Sequence, residues 1–316
     1  MTRIAALFPG QGSQFVGMGT DLAETFEPSA AVFKAVDQAL DFPLSKICRE
    51  GPENELRMTE NTQPALLAHS IAAWRILFEK GLRIEGFAGH SLGEYSAIVA
   101  AGGLSLEDAA RTVRLRGRLM QQAVPAGKGA MAAVLGLEDD RVVSICRELS
   151  GRNFGIVTAV NFNAPGQVVI AGDREAVGKA IEKLKEAGAR RALPLPVSAP
   201  FHSPLMAPAR QGLTPTLDDL DFHGLSRPLY RNVDASPVQA PEQLREGLIR
   251  QVDAPVLWSE TIRRMVAEGF DTFIEIGAGK VLSGLVKRIH RPATCYQAGT
   301  PEEIRGLLES PALIGD

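Results

Sequence analysis

The sequence predicts an α/β fold in which a parallel sheet carries a smaller inserted unit. Three observations lead there. Short apolar runs that end at glycine or proline alternate with helix-period segments, the pattern of a parallel α/β sheet. From about residue 127 the element order changes to βαββαβ, the split pattern of a ferredoxin-like unit. After about residue 198 the alternating style returns. The expected division is therefore a large domain of residues 1–126 and 199–316, with a subdomain of residues 127–198 inserted between its halves.

The elements justify themselves in order. Arg3–Phe8 is a short apolar run stopped by Pro9 and the glycines of GQGSQ, as expected of a buried strand entering a tight loop. A helix follows, with Asn61 and Thr62 as cap candidates, Pro64 in the first turn, apolar residues through Phe78 and Gly81 as the stop. Residues 85–90 read as a second strand and residues 92–101 as a helix ended by Gly102 and Gly103. Ser105 with Asp108 resembles a capping box and opens a helix running to about Gln122. In the inserted unit, residues 130–137 are strand-like and 138–150 helical. Residues 157–160 and 167–171 are strands about a turn at Asn163, Ala164, Pro165 and Gly166; 173–187 is helical and 190–197 extended. The last third holds a helix over 255–268, a strand over 272–276 and the glycine loop GAGK before another helix, and the tail SPALIGD reads as frayed.

Composition narrows the function. A chain of 316 residues, 45% hydrophobic and 22% charged, is long enough for one large core or a core plus a subdomain. Its formal net charge of −3, with basic residues scattered, argues against a nucleic-acid partner. Cys48, Cys146 and Cys295 are far apart and follow no metal-binding or disulfide spacing, so idle thiols in a reducing compartment are expected. The N-terminus has too short an apolar run for a signal peptide, and no stretch reaches the roughly 18–20 apolar residues that span a bilayer. The expectation is a cytoplasmic protein, monomeric, with no metal and no membrane partner.

Gly89, Ser91 and Gly93 form a GxSxG between a predicted strand and a predicted helix. A nucleophile elbow is such a turn, with the serine at its apex and glycines relieving the crowding beside it. Serine needs an adjacent base and donors aimed at the developing oxyanion; the Leu92 N–H, at the helix start, can supply one donor. Of five histidines, His69 and His290 fall within or near the ends of helices, and His90 precedes Ser91 and points away from it. His223 has no flanking motif. His202, in the proline-bounded loop SAPFHSPLM, is the better base.

On the helix after Ser105, Arg111, Arg114 and Arg118 share one face, whereas Arg116 joins the row Ala109, Val113 and Met120. A buried guanidinium left unpaired costs several kcal/mol, more than the roughly 1.5–3 kcal/mol of one charge-assisted hydrogen bond, so an anion is required. Helix geometry leaves open whether that anion is an internal Asp or Glu or a substrate carboxylate held bidentately. No triad acid is evident: Asp139, Asp140 and Asp173 all lie in the inserted unit. Their position weakens a plain esterase reading and favours a neutral group behind the base.

With these residues in view, the sequence resembles the malonyl-CoA:acyl carrier protein transacylase family over roughly residues 4–289. The resemblance rests on FPGQGSQ, GHSLGEYSA, LRGRLMQ, NFNAPGQVVIAG, PVSAPFHSPLM, RQVDAPVLW and EIGAGKVLSGL, in that order. It implies an α/β-hydrolase-like domain with a ferredoxin-like insertion and a ping-pong transfer of malonyl from malonyl-CoA to acyl carrier protein. Ser91 would carry the acyl group and His202 would act as base, while Gln11 and the Leu92 N–H would form the oxyanion hole. Arg116 would grip the free carboxylate and Gln251 would orient His202 through its carbonyl. Asn163 is placed near the thioester arm, and Phe201 is the position tied to malonyl selectivity. No dissociable cofactor is implied, since CoA is substrate and product. Local charge alone nominates Lys183, Lys185, Arg190 and Arg191 as a docking patch for an acidic carrier. The same elbow also serves a polyketide-pathway acyltransferase, a serine thioesterase or hydrolase, or a non-catalytic module.

Overall fold

The computed structural model describes residues 2–151, 155–197, 199–310 and 313–314. Of the tail read as frayed, only Ser310, Leu313 and Ile314 lie within the described residues, and the last two are tied down, Leu313 O accepting from the Arg83 N–H at 3.0 Å and Ile314 bridging Leu82. Among these residues ten strands form two sheets. They are β1 (Arg3–Phe8), β2 (Gly86–Gly89), β3 (Gly129–Leu135), β4 (Val157–Ala164), β5 (Gln167–Asp173), β6 (Arg191–Pro194), β7 (Leu229–Tyr230), β8 (Pro237–Val238), β9 (Phe270–Ile276) and β10 (Thr294–Ala298).

The larger sheet has the order β10-β9-β1-β2-β7-β8 and is parallel except at the β7–β8 edge. Helices cover both faces, so β1 and β2 carry apolar or small residues at nearly every position rather than alternating. Phe8 is in register with Gly89, so the loops after β1 and β2 leave the same edge side by side. In open α/β sheets ligands bind at that carboxyl edge.

Helix Thr59–Glu79 is buried on almost every side and begins before its expected cap. Asn61 and Thr62 do not cap it. Their side chains donate to the carbonyls of Glu55 (3.0 Å) and Leu56 (2.6 Å), tying the helix to the preceding turn. Pro64 consequently lies in the helix interior, where it forgoes one helix hydrogen bond. Ser105 caps helix Leu106–Gln122 as expected, its hydroxyl accepting from the Asp108 N–H at 3.0 Å. Four short helices between Thr20 and Leu56 have no counterpart in the sequence reading; the longest, Glu27–Leu40, buries Val32, Phe33 and Val36.

The second sheet is antiparallel throughout, with order β4-β5-β3-β6 and helices Asp139–Leu149 and Arg174–Glu186 packed on it. It has its own apolar core. β4 runs past the expected end at Val160 to Ala164, taking in Asn163 and Ala164 of the expected turn; its second half stays paired with β5 and also meets the segment at Val256. The Phe162 N–H donates to Val256 O (2.9 Å) and the Val256 N–H to Val160 O (2.8 Å). This stitch carries Asn161 and Asn163 to the edge of the larger sheet. Among the described residues no helix is long and apolar enough to cross a membrane, and no group of three or more His, Cys, Asp or Glu side chains could hold a metal ion.

Candidate active site

Ser91 sits between β2 and helix Leu92–Ala100 with φ 52° and ψ −107°, a backbone conformation that L-residues rarely adopt. The flanking glycines are required by space. A Cβ on Gly89 would lie 1.9 Å from the Gly93 carbonyl, and one on Gly93 would lie 2.0 Å from the Phe8 carbonyl oxygen. The strained turn is held from below, where the Ser91 N–H donates to Asn232 Oδ1 at 2.7 Å. Strain concentrated at one residue and braced by its surroundings marks functional sites.

His202 also has a positive φ, 61°. Its Nε2 lies 2.7 Å from Ser91 Oγ, and its Nδ1 lies 2.9 Å from the Gln251 carbonyl. A carbonyl can only accept, so Nδ1 carries the proton and Nε2 is free to accept from the serine hydroxyl. Burial pushes the imidazole down to about 3, with the positive charge of Arg116 adding to the shift and the Gln251 carbonyl opposing it. The imidazole is thus neutral, oriented by a carbonyl and not by a carboxylate.

The other histidines fall elsewhere. His69 is buried and bonded to Gly299 O at 2.9 Å, His223 is exposed and His290 ends a helix. His90 points away from the Ser91 hydroxyl, its Nε2 meeting Asn163 Oδ1 at 2.9 Å.

Arg116 emerges from the buried row of its helix beneath Ser91 and is 1% exposed. Its Nη1 donates to Gln63 Oε1 (2.9 Å), and its Nη2 to Gln251 Oε1 (2.9 Å) and to Ser91 Oγ (3.2 Å). All three partners are neutral, and Nε has none. Burial lowers its pKa, an effect that the Tyr95 hydroxyl and the Glu94 carboxylate, both nearby, oppose. A buried cation with only neutral hydrogen-bond partners keeps its charge unpaired and can accept an anion that enters the pocket.

Ser91, His202 and Arg116 line one pocket of about 120 Å³ with Gln11, Gln63, His90 and Asn161, walled on the apolar side by Met120, Met131 and Phe201. A wider cavity of about 410 Å³ shares Gln11, Leu195, Val197 and Phe201 with it and leads past Thr59 and Gln14. Gln11 Nε2 faces Thr59 Oγ1 at 3.5 Å. Leu92 begins its helix, so its N–H has no intrahelical acceptor. Asn163 reaches the elbow through His90.

Sequence reasoning missed Gln63, Glu94, Asn161 and Asn232. Glu94 stands inside the quoted GHSLGEYSA, a signal that could have been followed; Gln63 and Asn232 stand in no motif.

Comparison with known proteins places this geometry. Residues 6–308 match the acyl transferase domain family. The malonyl CoA-acyl carrier protein transacylase of Bacillus subtilis (strain 168) is 47% identical over 304 residues, 96% of each chain. That of Escherichia coli (strain K12) is 44% identical over 98% of this chain and 100% of its own. An acyl-carrier-protein-S-malonyltransferase from Bartonella henselae superposes with a TM-score of 0.94 at 45% identity, covering 97% of this chain and 98% of that one. A malonyl-transacylase solved in complex with its type II PKS acyl-carrier protein gives 0.94 at 44% identity, over 98% and 99%. With an elbow serine paired to a histidine and a buried cation beside them, this chain is an acyltransferase and belongs to the malonyl CoA-acyl carrier protein transacylase family.

Proposed function

We propose that the protein moves a malonyl group from malonyl-CoA to the phosphopantetheine thiol of acyl carrier protein through a malonyl-Ser91 ester. The observation that carries this reading is the buried Arg116 guanidinium at 3.2 Å from Ser91 Oγ with only neutral partners. An acyl group bound to that serine meets the cation only if it bears its own carboxylate, as malonyl does.

In the proposed course His202 Nε2 takes the Ser91 proton as Oγ attacks the thioester carbonyl. The oxyanion is met by the Leu92 N–H and by the Gln11 amide, which would exchange its long contact with Thr59 for the charged oxygen. Collapse breaks the C–S bond, and the imidazolium returns the proton to the CoA thiolate. The carrier thiol then repeats the steps in reverse order. Each oxyanion donor is worth about 100- to 1000-fold in rate. Phe201 closes the apolar wall against a branched acyl group, and Asn163, held by His90, faces the thioester arm. CoA is consumed and released as substrate, and no separate cofactor is called for.

Within the same reading, residues 127–198 form an inserted ferredoxin-like subdomain, supported by the strand order β4-β5-β3-β6. Lys183, Lys185, Arg190 and Arg191 are all exposed on it, although Lys183 pairs with Glu186 at 3.1 Å. They are the proposed dock for an acidic carrier; reversing their charges should slow transfer to the carrier and leave acylation by malonyl-CoA alone. A cytoplasmic, monomeric enzyme of fatty acid synthesis completes the proposal.

Intact mass spectrometry after mixing with malonyl-CoA tests it. A malonyl increment that disappears in Ser91→Ala is expected, and adding carrier protein should discharge it to the carrier. Discharge to water at the same rate without carrier would instead indicate a hydrolase, and no adduct at all a non-catalytic module.

A further inference from the structure

We propose that Glu94 is a positioning residue of the transferase, the acceptor that seats Gln251 and Asn232 and through them Ser91, Arg116 and His202. The inference rests on the roles proposed above for those three residues.

Glu94 is fully buried in the first turn of the helix that Ser91 begins. One of its oxygens does the joining: Oε2 accepts from Gln251 Nε2 at 2.9 Å and from the Asn232 N–H at 3.0 Å. Gln251 then holds the reacting set at three points and Asn232 holds the elbow at two. Gln251 Nε2 also donates to Ser91 O (2.9 Å), its Oε1 accepts from Arg116 (2.9 Å) and its main-chain carbonyl accepts from His202 (2.9 Å). Asn232 Oδ1 accepts from the Ser91 N–H (2.7 Å) while its Nδ2 donates to Gly89 O (2.7 Å). Both protons of the Gln251 amide thus go to Glu94 and Ser91 O, which turns Oε1 toward Arg116. A flipped amide would set donors against the guanidinium and an acceptor against a carboxylate. Asn232 holds the backbone of the elbow from the other side.

The arrangement needs an acceptor at Oε2 and no charge. Oε1 has no hydrogen-bond partner, so a proton there leaves every contact of Oε2 in place. Burial pushes the Glu94 carboxyl up to about 7, with the bonds from Gln251 and Asn232 opposing the shift, so the neutral form is within reach near neutrality. An acceptor without charge also explains why Gln251 stands between Glu94 and Arg116: a direct ion pair would occupy the guanidinium that the substrate carboxylate requires.

Two substitutions separate these functions. Glu94→Gln keeps an oxygen where Oε2 stands and should acylate with malonyl-CoA within about threefold of wild type, with the same preference for malonyl over acetyl. Glu94→Met fills the space with no acceptor. It should lower kcat at least tenfold while moving KM less, and should reduce the malonyl preference. A Glu94→Met protein with wild-type kcat and preference overturns the proposal, as does a Glu94→Gln protein that loses as much as Glu94→Met. If Glu94→Met does not fold, the Gln251 side-chain amide in wild type and Glu94→Gln decides. At pH 9, where the wild-type carboxyl is ionised, one of its two ¹⁵N-bound protons, the one on Glu94 Oε2, should move upfield in the variant while the other stays; unchanged resonances there overturn the proposal. That spectrum requires no malonyl transfer, so its outcome is separate from the function itself, which would fail only if wild type took no malonyl from CoA.

Discussion

Two regions of this molecule bury their residues in opposite ways. The unit built on the second sheet packs Val134, Val142, Ile145, Leu149, Ile170 and Val177 into an apolar core and keeps its charges on the outer faces of its two helices. Beneath the elbow, Glu94, Arg116, His202, Asn232 and Gln251 are buried together, none more than 4% exposed. Apolar burial stabilises in proportion to area and is indifferent to direction. Buried polar groups cost free energy unless each finds a partner at the right angle, so they are retained where direction matters. The first region should therefore respond to substitution in stability and the second in chemistry.

The sharpest test of that division is His202→Ala. It removes the proposed base facing Ser91 Oγ and should slow acylation by about 100- to 10,000-fold, the usual worth of general-base catalysis. Its melting temperature should change far less than that loss implies. A variant that acylates normally would break the assignment of the base. Ile145→Ala is the converse experiment. In a buried position of the second sheet's core it should cost about 2–5 kcal/mol in denaturant unfolding and leave the malonyl-to-acetyl rate ratio of the folded protein unchanged. A shifted ratio would mean that the two regions are coupled through the β4 stitch to Val256.

What could be read from residues alone follows the same line. The apolar rows and the glycine-flanked serine are local patterns, and β1, β2 and the capped helix Leu106–Gln122 lie where those patterns place them; the six elements of the second sheet unit occur in the expected order, with β4 longer and β6 shorter than their patterns predict. Arg116 was legible because a charge on an apolar row contradicts its own surroundings. Its three partners were not, for they come from separate elements: Gln251 stands 135 residues away and Gln63 53 residues away. Asn232 meets Ser91 across 141 residues with no turn or period to announce it. The misplaced helix start at Asn61 and Thr62 has the same origin. Cap-type side chains were read as local, and the fold uses them on the preceding turn.

Removing the cation should have a smaller effect than removing the base. Arg116→Ala is expected to lose roughly 10- to 150-fold in malonyl transfer, one charge-assisted contact of about 1.5–3 kcal/mol, and much less in acetyl transfer. Equal losses with both substrates would place its partner inside the protein. The pH profile probes the same pair. His202 has its folded pKa depressed to about 3, below an unfolded value near 6.5, so its contribution to stability is complete above about 6.5 and declines as pH falls toward 3. Catalysis should not follow the free-imidazole curve, because the folded base stays neutral through that interval. A kcat/KM limb falling tenfold per unit below 6.5, measured on protein still folded by circular dichroism, would show an imidazole far less buried than this one.

Arg118 provides the smallest effect and the cleanest contrast, because it stands on the same helix two residues from Arg116. Its side chain is half exposed and meets Glu60 at 3.1 Å. Solvent screens that pair and side-chain entropy offsets it, so exposed ion pairs of this kind contribute about 0–1 kcal/mol. Arg118→Ala should shift unfolding by no more than that, with malonyl and acetyl rates both unchanged. At Arg116 the same deletion removes a charge that the fold has desolvated and surrounded with oriented neutral groups, and the loss appears in substrate choice. If Arg118→Ala altered malonyl preference as strongly as Arg116→Ala, the selectivity would come from the positive field of the whole helix. It would then weaken with added salt, which a contact sealed beneath Ser91 should resist.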